Sequence, residues 1–196
     1  NFFVFSATDY FACSDLAAKW LFPDVIIKKG KYKLLTNGVD LNAFKFDESI
    51  RMRIRKMYNI LPTDVVIGNV GRFVPQKNHK FMLSIFHELL KKNAKCKAML
   101  IGAGPLEDEI KKIVKNYNLN EAVIFVGTTR TVVDYYHAMD LFLMPSLFEG
   151  LPITGIEAQA NGLPCLFADS ITKELAISNL ASYCSLSDSE AVWRDK

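Results

Sequence analysis

No uninterrupted apolar run approaches the ~18 to 20 residues that cross a bilayer, because charges, glycines and prolines break every hydrophobic stretch. The chain is expected to be soluble by itself. Charge of one sign is also scarce, since Lys+Arg 24 against Asp+Glu 21 leaves a formal net charge of +3. That is far from the dense basic face of a dedicated nucleic-acid binder, and no nucleic-acid partner is expected. Cys13, Cys96, Cys165 and Cys184 lie far apart, with no C-x-x-C pair and no histidine at ligand spacing. Neither a zinc site nor a disulfide framework is signalled, so no metal is expected and a reducing cytoplasm is the expected compartment. The sequence also lacks a start Met and a basic region followed by a small-residue cleavage site. It therefore does not open on a signal peptide, and it reads as part of something longer.

What is present is ordinary globular composition: 196 residues, 50% hydrophobic and 23% charged, enough to bury a substantial core. Collagen, coiled coil and wholesale disorder are excluded. From Val65 onward short apolar runs alternate with longer amphipathic stretches. Strands are expected at 65–70, 97–101, 123–126, 141–144, 164–167 and 182–184, with helices at about 79–92, 105–117, 131–138, 152–161, 172–177 and 188–194. This rhythm predicts an α/β, Rossmann-like doubly wound parallel sheet. Pro152 suits the first turn of one helix and Gly162 its C-terminal cap. Residues 1–60 read as an edge and a connector, with a strand and helix around Phe11–Phe22, an extended stretch at Tyr32–Leu35 and a polar helix near Asp47–Asn59.

Ligands of open parallel sheets bind beyond the carboxyl ends of the strands, so four loops matter. The first, GRFVPQKNH, places Arg72 and Lys77 just before a helix. Two cations at a helix N-terminus suit a diphosphate, with Arg as a bidentate fork and Lys as a point charge. A solvated surface Arg and Lys would account for the stretch equally well. The second, IGAGPLED, carries Gly102 and Gly104 but has Glu107 where G-x-G-x-x-G needs its last glycine, which argues against conventional dinucleotide binding. A tight strand-to-helix turn explains these glycines too. The third, VGTTRT, combines Gly127 with hydroxyls and Arg130, and helix capping by Thr129 or Thr131 explains much of it.

The fourth loop, PSLFEGLPITGIEAQANGLP, spaces Glu149 and Glu157 with seven residues between them. Ionised carboxylates only accept hydrogen bonds, which matches sugar or ribose hydroxyls, and the Gly150–Thr154 backbone entering a helix can offer N–H groups to a phosphate.

GRFVPQK, IGAGPLEDEI and PSLFEGLPITGIEAQANGLP, in that order and spacing, resemble the donor-binding half of the family-four glycosyltransferases, retaining enzymes of the two-domain GT-B fold. The resemblance covers roughly residues 30 to 196 and includes TNGVDLNAF; FACSDLAAKW is similar to the last strand and helix of that family's acceptor-side domain. It divides the chain into residues 1–30, the tail of an acceptor-side domain, residues 31–60, a connector, and residues 61–196, the donor domain. The motifs look most like those of bacterial enzymes building exopolysaccharide or capsule on a lipid-linked carrier.

The resemblance implies that Arg72 and Lys77 hold the donor pyrophosphate and stabilise the leaving diphosphate, and that Glu149 orients donor-sugar hydroxyls, making these three the expected catalytic residues. Glu157 is expected to bind the ribose, with Gly71, Gly102, Gly127, Gly150, Leu151, Pro152, Ile153 and Thr154 bordering the nucleotide, and Thr128 and Arg130 near its base. A nucleotide sugar, UDP-linked by family prior, is the expected co-substrate, with no further cofactor and no metal. A glycan or lipid-linked acceptor would be met through the missing N-terminal domain, so the chain alone is expected to turn over little or nothing. His79, His87 and His137 fall on donor-side helices, and none matches the family's histidine near the reacting sugar. The patches around Lys91–Lys97 and Lys111–Lys115 read as solvated helix faces, although a lipid-linked acceptor would bring them to the inner face of the cell membrane as a peripheral contact.

Rival readings are an NAD-dependent oxidoreductase, disfavoured by the incomplete glycine fingerprint, a non-catalytic interaction module, and a nucleotide-sugar epimerase of the same fold.

Overall fold

The computed structural model describes residues 7–196; the first six residues, part of the stretch expected to be an acceptor-side tail, lie outside them. The main body is a six-stranded sheet of β3 (Val65–Val70), β4 (Cys96–Ile101), β5 (Val123–Gly127), β6 (Leu141–Met144), β7 (Cys165–Ala168) and β8 (Ala181–Cys184), in which every pairing is parallel. The spatial order is β5-β4-β3-β6-β7-β8, so the order reverses beside β3, whose neighbours are β4 and β6. Strands covered on both faces should be apolar throughout. Residues 98–101 of β4 and 165–168 of β7 are all buried apolar positions, as expected.

Two further strands among the described residues, β1 (Tyr10–Ala12) and β2 (Tyr32–Leu34), form a separate parallel pair joined through α1 (Asp15–Leu21) and α2 (Asp24–Lys28). This small sheet spans the expected division at residue 30. A short α3 (Leu41–Phe44) and α4 (Glu48–Met57) then lead to β3. In α4 the Asp47 carboxylate accepts from the N–H groups of Ser49 and Ile50, the N-cap arrangement that begins the helix.

Between the strands of the main sheet run α5 (His79–Lys92), α6 (Glu107–Asn116), α7 (Val132–Ala138) and α8 (Ile153–Ala160), and α9 (Glu190–Arg194) follows β8. The helical spacing of Met82, Ile85 and Phe86 buries one face of α5, and Phe81 meets the Trp193 ring of α9 edge-on at 5.6 Å. The expected helix at 172–177 is instead one 3-10 turn, Lys173–Leu175, started by Thr172 accepting from the Glu174 N–H. Its apolar positions are too few to support a longer amphipathic helix. Pro152 stands at the N-cap of α8, one position earlier than expected, with ψ 117°. Gly162 follows the C-cap with φ +87°, the left-handed conformation in which glycine carries no Cβ penalty.

Candidate functional site

The crevice between the carboxyl ends of β3 and β6 lies where strand order reverses, the position at which open α/β sheets take ligands. The loop after β3 and the loop after β6 meet there. Their backbones are joined by Leu147 N–H donating to the Gln76 carbonyl at 2.8 Å, and Asn78 Nδ2 donates to the Pro145 carbonyl at 3.1 Å. Pro75–Lys77 forms a 3-10 turn, and Asn78 at φ 55° redirects the chain into α5. Asparagine tolerates that left-handed conformation better than most residues.

This local path brings Lys77 and Glu149 together, 72 positions apart in sequence, with Nζ to Oε1 at 2.7 Å. Both side chains are largely shielded, at 16% and 9% exposure, so water screens the pair weakly. Gln76 Nε2 donates to Glu149 Oε2 at 3.2 Å and to the Phe148 carbonyl at 2.9 Å. An isolated parallel bridge between Glu149 and Ile171 holds the carboxylate's own backbone. Arg72, by contrast, is exposed, and its guanidinium has no partner among the described residues.

Glu157 lies on α8, where its Oε2 accepts from the Tyr136 hydroxyl at 2.7 Å. Burial raises the Glu157 carboxyl above its ordinary range, and the Tyr136 bond opposes that shift only in part. Tyr136 also donates to the Thr154 carbonyl at 3.3 Å, tying α7 to the start of α8. That start has no side-chain cap, and with the Gly155 N–H turned back to the Pro152 carbonyl at 3.1 Å the Ile153 and Thr154 N–H groups are the ones available to an anion. Two buried hydroxyls in this region, Ser146 Oγ and Thr154 Oγ1, have no hydrogen-bond partner among the described residues.

The glycines serve different purposes. A Cβ on Gly102, whose φ is +137°, would come 2.0 Å from the Gly71 carbonyl oxygen, and one on Gly104 would come 2.5 Å from that of Phe73. Both are therefore required by the approach of one loop backbone to another. A Cβ on Gly71 would press the Lys77 side chain at 3.2 Å, and Gly127 faces open space with φ +78°. Gly150 is crossed by the N-terminal unit: the Ser14 hydroxyl donates to its carbonyl at 3.0 Å, and a Cβ there would meet Ala17 at 3.2 Å. Asn37 Nδ2 similarly donates to the Leu151 carbonyl at 3.2 Å. Pro152 is buried and Ile153 is 43% exposed at the rim. Thr128 and Arg130 are exposed on the loop after β5, and no hydrogen bond joins them to Lys77 or Glu149. Thr129 Oγ1 accepts from the Thr131 N–H at 3.1 Å, so the hydroxyl there supports the turn into α7.

Beside the ion pair, Leu16, Ala17, Trp20 and Phe148 line a groove of about 440 Å³ that reaches Gln76 and Glu149. The histidines have other surroundings. His79 is buried edge-on to Phe73 at 4.7 Å, and burial with the nearby Lys77 charge lowers its pKa to about 4. His137 Nδ1 accepts from the Asp47 N–H at 3.1 Å, which fastens the N-cap of α4 to α7. Gln76 and Tyr136 are the partners that sequence reasoning missed. Neither belongs to a spacing pattern, and each acquires its role only when loops distant in sequence meet.

Comparison with known proteins gives the same architecture. A family model described as "Glycosyl transferases group 1" matches residues 51–179. The putative glycosyltransferase EpsF of Bacillus subtilis is 36% identical over 191 residues, covering 97% of this chain and 50% of that protein. The UDP-Gal:alpha-D-GlcNAc-diphosphoundecaprenol alpha-1,3-galactosyltransferase of Escherichia coli is 28% identical over 142 residues, covering 71% of this chain and 37% of that one. Anabaena HepE, solved in complex with UDP and glucose, superposes with a TM-score of 0.81 at 19% identity, covering 95% of this chain and 51% of that one. The chain spans about half the length of the curated relatives it matches.

Proposed function

The chain belongs to the group 1 glycosyl transferases, and from that premise we propose that it is the donor-binding part of an enzyme transferring sugar from a UDP-linked donor, with retention of configuration. The acceptor is a growing glycan or a lipid-linked saccharide of exopolysaccharide or capsule assembly, presented by an acceptor-side domain most of which lies outside this chain. Residues 1–30 form the tail of that domain, residues 31–60 the connector and residues 61–196 the donor domain. The observation that carries the reading is the convergence of Lys77 and Glu149 at the strand-order reversal, with Arg72 left without a partner among the described residues. UDP is supported by the names of the E. coli relative and the Anabaena complex.

The diphosphate lies against Arg72 and Lys77, and the uncapped start of α8 supplies backbone N–H groups. Lys77 has three N–H donors and gives one to Glu149, so it can hold the carboxylate and a phosphate oxygen together. Glu149 accepts from hydroxyls of the donor sugar, and Glu157 accepts from the ribose. The bond between the anomeric carbon and the β-phosphate oxygen breaks, and the acceptor oxygen bonds to that carbon on the same face. The acceptor proton passes to the departing diphosphate. Charge accumulates on the leaving group, where preorganised cations contribute most. No metal and no further cofactor enter this proposal. No helix among the described residues is long and apolar enough to cross a membrane. The proposed location is the cytoplasm, with peripheral contact at the inner face of the cell membrane through the lipid-linked acceptor.

The test is calorimetric titration of the intact protein with UDP, GDP, ADP and NAD, alongside Glu157→Ala. Saturable binding of UDP, weakened at least tenfold in the variant, is the expected result. Binding of NAD but of no nucleoside diphosphate would refute the reading.

A further inference from the structure

We infer that Gln76 is a positioning residue that sets the carboxylate plane of Glu149 and thereby its grip on the donor sugar, an inference that rests on the donor reading above. The Gln76 side chain ends in a primary amide. Its Nε2 faces two acceptors, the Phe148 carbonyl at 2.9 Å and Glu149 Oε2 at 3.2 Å. A flipped amide would aim its oxygen at both, so the orientation follows from the network. The Gln76 main chain is fixed as well, because its carbonyl accepts from the Leu147 N–H at 2.8 Å. Residue 76 is thus joined to residues 147, 148 and 149 in succession.

Glu149 then has one oxygen on Lys77 and the other on Gln76. A carboxylate offers about four lone-pair directions, and holding both oxygens from the protein side stops it rotating and fixes where the remaining directions point. With 9% of the side chain exposed, water has little access to do the same work. The two partners differ in one respect that matters for a test. Lys77 is also placed to meet phosphate, so its loss removes several functions together. The Gln76 side chain gives its hydrogen bonds to Glu149 and to the loop after β6 and carries no charge for a phosphate, so its loss should separate recognition of the sugar from recognition of UDP.

The deciding variant is Gln76→Met in the intact protein, which keeps the length and packing of the side chain but removes both N–H donors. Three quantities are compared with the unaltered protein: the Kd for UDP, the melting temperature, and the rate of UDP release from UDP-glucose, UDP-galactose and UDP-N-acetylglucosamine. The expected result is a UDP Kd within about twofold and an unchanged melting temperature, with UDP release from the best of the three sugars slowed about tenfold, the size of one hydrogen bond to a charged group. Unchanged release overturns the inference and leaves the donor reading standing. A fall in UDP affinity and melting temperature parallel to the fall in release also overturns it, since Gln76 would then be building the loop. Failure of the unaltered protein to bind UDP, or to release it from any of the three sugars, overturns the donor reading and this inference with it.

Discussion

The Arg51–Arg55–Asp140 cluster and the Lys77–Glu149 pair with its neighbour Arg72 each set arginine or lysine against one carboxylate, and they differ in how much of their hydrogen-bonding capacity the protein itself uses. Against α7, Arg55 is buried at 5% exposure and donates to the carbonyls of Leu61, Asp64 and Ala138 and to Asp140 Oδ2. Arg51, one helical turn earlier on α4, donates to the carbonyls of His137 and Met139 and to Asp140 Oδ1. Asp140 Oδ2 also receives the Val66 N–H at 2.7 Å. The two arginines cap the carboxyl end of α7, where cations offset the helix dipole and satisfy terminal carbonyls. In the crevice beyond β3 and β6, Lys77 has one side-chain partner among the described residues and Arg72 has none. Saturated charges build the fold, and charges with open valences remain for a ligand.

The sharpest way to break this comparison is to remove a cation from each cluster. Arg55→Ala would leave Asp140 and several carbonyls short of their buried partner, and truncation of one member of such a pair costs about 3 to 5 kcal/mol. Chemical denaturation should register that loss, while kcat/KM per folded molecule stays within about twofold. Lys77→Gln should do the opposite. Glutamine keeps an N–H for Glu149 but carries no charge for a diphosphate, so transfer should fall about 100- to 1000-fold with little change in the denaturation midpoint. If Lys77→Gln unfolds the protein while Arg55→Ala abolishes transfer in a folded one, the assignment of the two clusters is reversed.

Much of the main sheet was legible because its signals are local. The run at 65–70 and the stripe of α5 state their structure within one window, and observed β3 and α5 have the expected bounds. The turn at Lys173–Leu175 differs from the helix expected at 172–177 because a few apolar residues near a strand carry no period that separates a single turn from a helix. The candidate site was legible as residue types on loops, with Lys77 and Glu149 named in advance from different loops. Gln76, Tyr136 and the Arg51–Arg55–Asp140 cluster were not, since each depends on a contact across 21 or more positions that no short pattern encodes. Gly102 shows another limit. A glycine between strand and helix signals a close approach, but only the fold shows that the neighbour is the Gly71 carbonyl.

His79 offers a smaller test, because it lies on the fold-building side of the comparison while following directly after the cationic loop. Its ring is buried, and neither Nδ1 nor Nε2 has a partner among the described residues. Burial and the Lys77 charge hold its pKa at about 4, below the ordinary 6.5. The unfolded chain therefore takes up a proton before the folded one does. The linked stability is fully present above pH 6.5 and is lost as pH falls from there through about 4. His79→Leu removes that titration and forfeits no protein hydrogen bond, so at pH 7 stability should change by less than about 1 kcal/mol. Between pH 6.5 and 4 the variant should lose melting temperature less steeply than the parent. Thermal unfolding across that range reads both effects. A loss above about 2 kcal/mol at pH 7 would mean that the ring has a polar partner in solution. An unchanged slope would mean that its protonation carries no part of the acid sensitivity.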